Sequence, residues 1–234
     1  MMAFALVANA QGRENDRSVG SHWTFNPYTQ YDMTLTGVLF LDGEAMQNQS
    51  RTQYLEVAAF CGDECRGSYM ATNYNLPFFQ GYVYFMQIYS QVESGEEITF
   101  RIWDHEAGEE LDVNCLSDIT FESYGVIGSL TDPYALAFLT NRHITVEANP
   151  VEGGTVSGGG TYVHGTSCTL TAVADTAYNF VNWTKGGTVV TTDDTYTFTV
   201  NEDATYTANF ELKTFNMTAT ATPAVGGSAT GGGI

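Results

Sequence analysis

The chain has 234 residues, enough for one or two domains with real cores, and its 43% hydrophobic and 13% aromatic content excludes a disordered polymer. A formal net charge of -19, with only 8 Lys and Arg, argues against nucleic-acid binding and against adhesion to an anionic membrane, since both need basic patches. The 24 glycines and frequent threonines lean toward pleated sheets and turns.

Residues 1–10, MMAFALVANA, form a short apolar run ending Ala8-Asn9-Ala10 before Gln11. This reads as a signal-peptide remnant with an A-x-A cleavage site and implies export to the cell surface or beyond. Residues 11–20, QGRENDRSVG, are a polar linker. No later apolar run is long enough to span a bilayer, so no membrane insertion is expected.

From residue 21 to 140 the pattern is that of a β-sandwich. Residues 33–41, MTLTGVLFL, alternate and then turn apolar on both faces, as a covered strand does; Asp42-Gly43 ends it in a turn. Residues 54–60 (YLEVAAF) and 82–89 (YVYFMQIY) are further strands. In residues 98–104, ITFRIWD, Ile98, Phe100 and Ile102 share one face and Thr99, Arg101 and Trp103 the other. Roughly eight short strands with turns at about 8–12-residue spacing, and no helical period, describe a sandwich.

Cys61 and Cys65 flank Gly62-Asp63-Glu64. A Cys61–Cys65 disulfide would staple this turn, and free thiols are the alternative; a zinc site lacks converging ligands, because His22, His105, His143 and His164 are scattered. Arg66, beside Asp63-Glu64, is expected in an ion pair within the domain. Trp23, Tyr28 and Tyr74 are the candidate ligand-facing aromatics, able to stack on sugar rings; the competing reading packs such rings into or over the core. Glu106, Glu109, Glu110 and Asp112 lie close together, which usually marks a solvated loop. No Ca²⁺-loop motif, phosphate-binding loop or nucleophile elbow occurs, so no metal, cofactor or catalytic residue is assigned and a non-enzymatic role is expected.

After Asn141-Arg142 the texture becomes Thr, Gly and Val. Residues 143–212 read as one small all-β unit with Phe180, Trp183, Phe198 and Phe210 as its core. Its opening, ITVEANPVEGGTVSGGG at 144–160, recurs as MTATATPAVGGSATGGG at 217–233, aligning Pro150 with Pro223 and Gly153-Gly154 with Gly226-Gly227. A period of about 73 residues suits a tandem array of small domains, with residues 213–234 starting a second, truncated copy of what is expected to be a longer modular protein.

Three stretches, ITVEANPVEGGTVSGGGTYVHGTSCTLTA, the central YNFVNW and the closing YTFTVNEDATYTANFE, carry a resemblance to the divergent internalin-B B-repeat, a bacterial surface repeat close to the Listeria–Bacteroides repeats. That resemblance implies a β-grasp-like fold acting as an extracellular spacer or interaction module. The first domain, through EVAAFCGDECRG and EEITFRIWD, more loosely resembles an uncharacterised β-sandwich of exported Bacteroidetes proteins, which implies a surface location. Asp175-Thr176-Ala177 is similar to the O-glycosylation sequon of that phylum and implies modification at Thr176. The expectation is an all-β, exported, adhesin-like protein: an N-terminal β-sandwich, a β-grasp-like repeat and the start of a second. Its partner is an extracellular protein or glycan, and a carbohydrate-binding sandwich is the alternative function.

Overall fold

The computed structural model describes residues 21–220, 222 and 224–232; the expected signal peptide and polar linker lie outside them. The described residues hold strands, turns and short 3-10 turns, with no α-helix. The backbone divides into one unit up to Thr140 and a second from Asn141.

The first unit contains β1 (Tyr31–Leu41), β2 (Glu44–Ala45), β3 (Leu55–Cys61), β4 (Glu64–Met70), β5 (Thr72–Leu76), β6 (Phe79–Ser90), β7 (Ser94–Asp104), β8 (Glu109–Glu110), β9 (Val113–Cys115), β10 (Ile119–Glu122), β11 (Val126–Ile127) and the first part of β12 (Tyr134–Asn149). One sheet runs β12-β1-β6-β5 and the other β10-β7-β3-β4. The β1–β12 pair is parallel, from Gly37 opposite Tyr134 to Leu41 opposite Phe138, whereas β1–β6 and β3–β7 are antiparallel.

Alternation decides what meets between the sheets. Met33, Leu35 and Leu39 of β1, Met86 and Ile88 of β6, and Leu136 and Phe138 of β12 face Leu55, Val57 and Ala59 of β3 and Ile98, Phe100 and Ile102 of β7. Fully burying each large side chain contributes about 1.5–3 kcal/mol, so this double layer is the principal stabilising element of the unit. Tyr84 is fully buried there, and its hydroxyl donates to the Leu55 carbonyl at 3.2 Å. Arg66 is buried and ion-paired with Glu96 at 2.6 Å and Glu64 at 3.5 Å.

The second unit contains the remainder of β12, then β13 (Gly154–Ser157), β14 (Gly160–Val163), β15 (Ser167–Ala174), β16 (Tyr178–Lys185), β17 (Thr188–Thr191), β18 (Thr195–Thr199) and β19 (Ala204–Leu212). Its larger sheet runs β17-β16-β19-β12, with β14 paired to β12 and the β12–β19 ladder parallel from Ile144–Ala204 to Asn149–Asn209. The smaller sheet is β13-β15-β18. Ile144, Trp183, Ala208 and Phe210 from the first share a core with Cys168, Leu170 and Ala172 from the second. Phe180 and Phe198 are half-buried at its margin.

The paired glycines of the repeat have a packing reason. A Cβ on Gly153 would lie 2.6 Å from the Phe210 Cβ, and one on Gly154 would lie 2.7 Å from Phe210 Cζ. The second copy repeats the local backbone: a 3-10 turn at Val151–Gly153 recurs at Ala224–Gly226, and φ of +102° at Gly158 matches +119° at Gly231.

Candidate functional site

The three aromatic candidates occupy different surroundings. Trp23 is half-buried against the outer face of the β10-β7-β3-β4 sheet, edge-on to Phe60 at 5.8 Å and to Trp103 at 6.4 Å. His22 beside it stacks on Trp103 with ring centroids 3.4 Å apart. Trp23 therefore packs over the outer face of this sheet. Tyr28 is 90% exposed and borders a cleft of about 620 Å³ that also includes Asp63, Glu64 and Cys65. Tyr74 borders a separate cleft of about 390 Å³.

Beneath Trp23 lies a buried polar cluster that sequence spacing did not reveal. Glu56 is fully buried. Its Oε1 accepts from Ser21 Oγ at 2.5 Å, and its Oε2 accepts from the His22 amide at 2.7 Å and from His105 Nε2 at 2.8 Å. Ser68 Oγ stands 2.8 Å from Ser21 Oγ. Burial pushes the Glu56 carboxyl up, but the His22 amide, Ser21, Ser68 and His105 together outweigh it and hold the group below the ordinary carboxylate range. The serine here bonds to the carboxylate and not to the histidine, so the order needed to activate a nucleophile is missing. The arrangement ties residues 21–25 to the sheet.

Cys61 and Cys65 are free thiols, and the expected bridge between them is not formed. Register gives the reason. Cys61 pairs with Glu64 and Phe60 pairs with Cys65, so the two cysteines project from opposite faces of the hairpin. Cys61 packs on the sandwich core, while Cys65 lines the cleft beside Tyr28. Glu106, Glu109, Glu110 and Asp112 are exposed. Among the described residues no group of three or more His, Cys, Asp or Glu is arranged to hold a metal ion. Thr176 is exposed in the turn between β15 and β16, and its carbonyl accepts from Lys213 Nζ at 3.0 Å.

The Tyr74 cleft is built from two separate segments of the first unit. The β5–β6 hairpin forms one wall, where Asn73 lies opposite Tyr82 and Asn75 opposite Gln80; direct partners share a face, so these four side chains stand together. Gln47 and Asn48 form the other wall. Two features hold the walls in contact. The Tyr82 amide donates to the Gln47 carbonyl at 2.7 Å, and Gly81, at φ +116°, comes so close that a Cβ there would lie 2.4 Å from that carbonyl oxygen. The loop itself is held by Thr52 Oγ1, which donates to the Met46 carbonyl at 2.6 Å. Tyr74 packs edge-on against Phe85 at 5.5 Å, which fixes its ring plane. Among the described residues, no charged side chain lines the cleft. Its chemistry is that of amides and phenols: many paired donors and acceptors and no ion.

These features define the class: an all-β protein in which a sandwich bearing a polar cleft precedes a small two-layer repeat. Residues 144–214 match the family model of the divergent InlB B-repeat domain. No curated protein and no solved structure matches the chain. Among the described residues no helix is long and apolar enough to cross a membrane.

Proposed function

We propose that this is an exported, non-enzymatic, adhesin-like cell-surface protein, in which the B-repeat acts as a spacer or interaction module and the N-terminal sandwich meets an extracellular partner. The domain layout proposed is a sandwich over residues 21–140, a repeat over 143–212 and a further copy from 213. The match of residues 144–214 to the B-repeat family carries this reading. It is supported by the recurrence of the same 3-10 turn and glycine backbone in the next copy. A net charge of -19 suits a solvated exterior module that avoids nucleic acid and anionic lipid. Thr176, exposed in its turn, is the proposed site of O-linked modification. The test is protease shaving of intact producing cells. Release of peptides from both units supports the reading, and their retention inside sealed cells overturns it.

A second reading has its own observation. The uncharged amide and tyrosine cleft beside β5 and β6 favours a carbohydrate-binding role for the sandwich. Native gels containing soluble polysaccharides test it: retardation of the chain by a glycan supports it, and unchanged mobility in every gel removes it.

A further inference from the structure

We propose that the β5–β6 cleft is the glycan site and that it selects uncharged oligosaccharides over anionic ones; this rests on the carbohydrate reading just given. Several observations converge on it. Asn73, Asn75 and Gln80 are exposed, and their side-chain amides make no hydrogen bond to other described residues. An amide offers two donors and an acceptor at once, which suits neighbouring sugar hydroxyls that each donate and accept. Asn73 and Asn75 lie two residues apart on one strand face, about 6.4–6.8 Å along β5, so they address successive groups of an extended ligand. Tyr82, on the same face as these amides, supplies a ring against which an apolar sugar face packs.

The selectivity follows from what lines the walls. A uronate, sialate or sulfate seated against these walls would give up part of its hydration without a cation to replace it, and the chain's own charge of -19 repels it at longer range. A neutral sugar meets neither cost. Recognition without ions is also insensitive to salt screening.

The experiment uses the full chain on a glycan array carrying neutral and anionic oligosaccharides, followed by affinity gels at low and high salt. Three variants accompany it: Asn73→Ala with Asn75→Ala, Gly81→Ala, and, as the control outside the cleft, Val92→Ala at an exposed position. The expected result is binding to a neutral glycan that does not change with salt and falls about tenfold or more in the double variant, as lost hydrogen bonds to a ligand predict. Gly81→Ala weakens it by displacing the Gln47 loop, and Val92→Ala leaves it unchanged. Unaltered melting of the double variant shows that the loss is local. If the native chain binds a neutral glycan and the double variant binds it equally, the cleft assignment is overturned while the carbohydrate reading stands. Binding confined to anionic glycans overturns the selectivity. If the native chain binds no glycan at all, the carbohydrate reading falls and this proposal with it.

Discussion

Replacing Glu56 tests whether a buried carboxylate ties residues 21–25 to the sandwich. In Glu56→Ala the His22 amide and His105 Nε2 lose their acceptor, and Ser21 loses its own, around a carboxylate that is itself fully buried although Ser21 and His22 are exposed. Leaving donors without their acceptor in this way costs about 1–3 kcal/mol. Glu56→Gln is milder, because its carbonyl oxygen can still face His22 and His105 while its amide turns to Ser21, whose hydroxyl rotates to accept. What is lost is the charge assistance, so about 1–2 kcal/mol is expected. The acid limb gives an independent sign. The folded-state carboxyl sits below its ordinary value of 4.5, so as pH falls the unfolded state takes up the proton first. Stability from this group is therefore complete above the unfolded value and is lost as pH drops through the folded one. Urea midpoints measured between neutral pH and about 3 should fall less steeply for Glu56→Gln than for the native chain. Tryptophan fluorescence reports release of Trp23 from Phe60 and Trp103. If Glu56→Ala costs less than about 1 kcal/mol, or the two variants share the native acid slope, the anchoring argument fails.

Other outcomes follow from the same geometry. Gly153→Ala should destabilise the repeat by about 1–3 kcal/mol through overpacking against Phe210, outweighing the modest gain that loss of glycine freedom usually brings. Calorimetry should show its melting temperature lower by about 4–8 °C per kcal/mol, and a rise would refute the contact. Thiol titration of the denatured, unreduced chain should find all 4 cysteines free; a count of two would restore a bridge. In the native chain Cys65 and Cys115 should react slowly at neutral pH, because burial pushes both thiols up despite the backbone hydrogen bonds they make. Arg51→Ala should destabilise the first unit and shift its acid limb. Burial raises the Asp104 carboxyl, but Arg51 at 2.6 Å and the amides of Ala107 and Glu106 hold it below its ordinary range, so its contribution too is lost on acidification.

The all-β class, the strands with strict alternation and the repeat were legible in residue order alone. Ile98, Phe100 and Ile102 could be placed in the core because a period of two leaves each side chain only one of two faces. The same logic named Trp183 and Phe210 as core residues of the repeat. Its glycine pairs were legible as a recurring pattern but not as a contact: that Gly153 and Gly154 make room for the Phe210 ring depends on a residue nearly sixty positions away. Where the domain texture changes, at Asn141-Arg142, composition suggested a junction, yet the backbone continues as one strand, because ladder bonds are indifferent to the side-chain change. Contacts between distant segments set the rest. A one-residue difference in register set Cys61 and Cys65 on opposite faces of their turn. The covered face that holds Trp23 depends on Glu56 meeting Ser21-His22 and His105, two segments distant from it in the chain. The cleft is likewise non-local: Gln47 and Asn48 reach Asn73, Asn75 and Gln80 only because Gly81 lets two backbones touch. Periodicity fixes which way a residue points within its own strand, whereas a site is made by strands whose meeting no local pattern encodes.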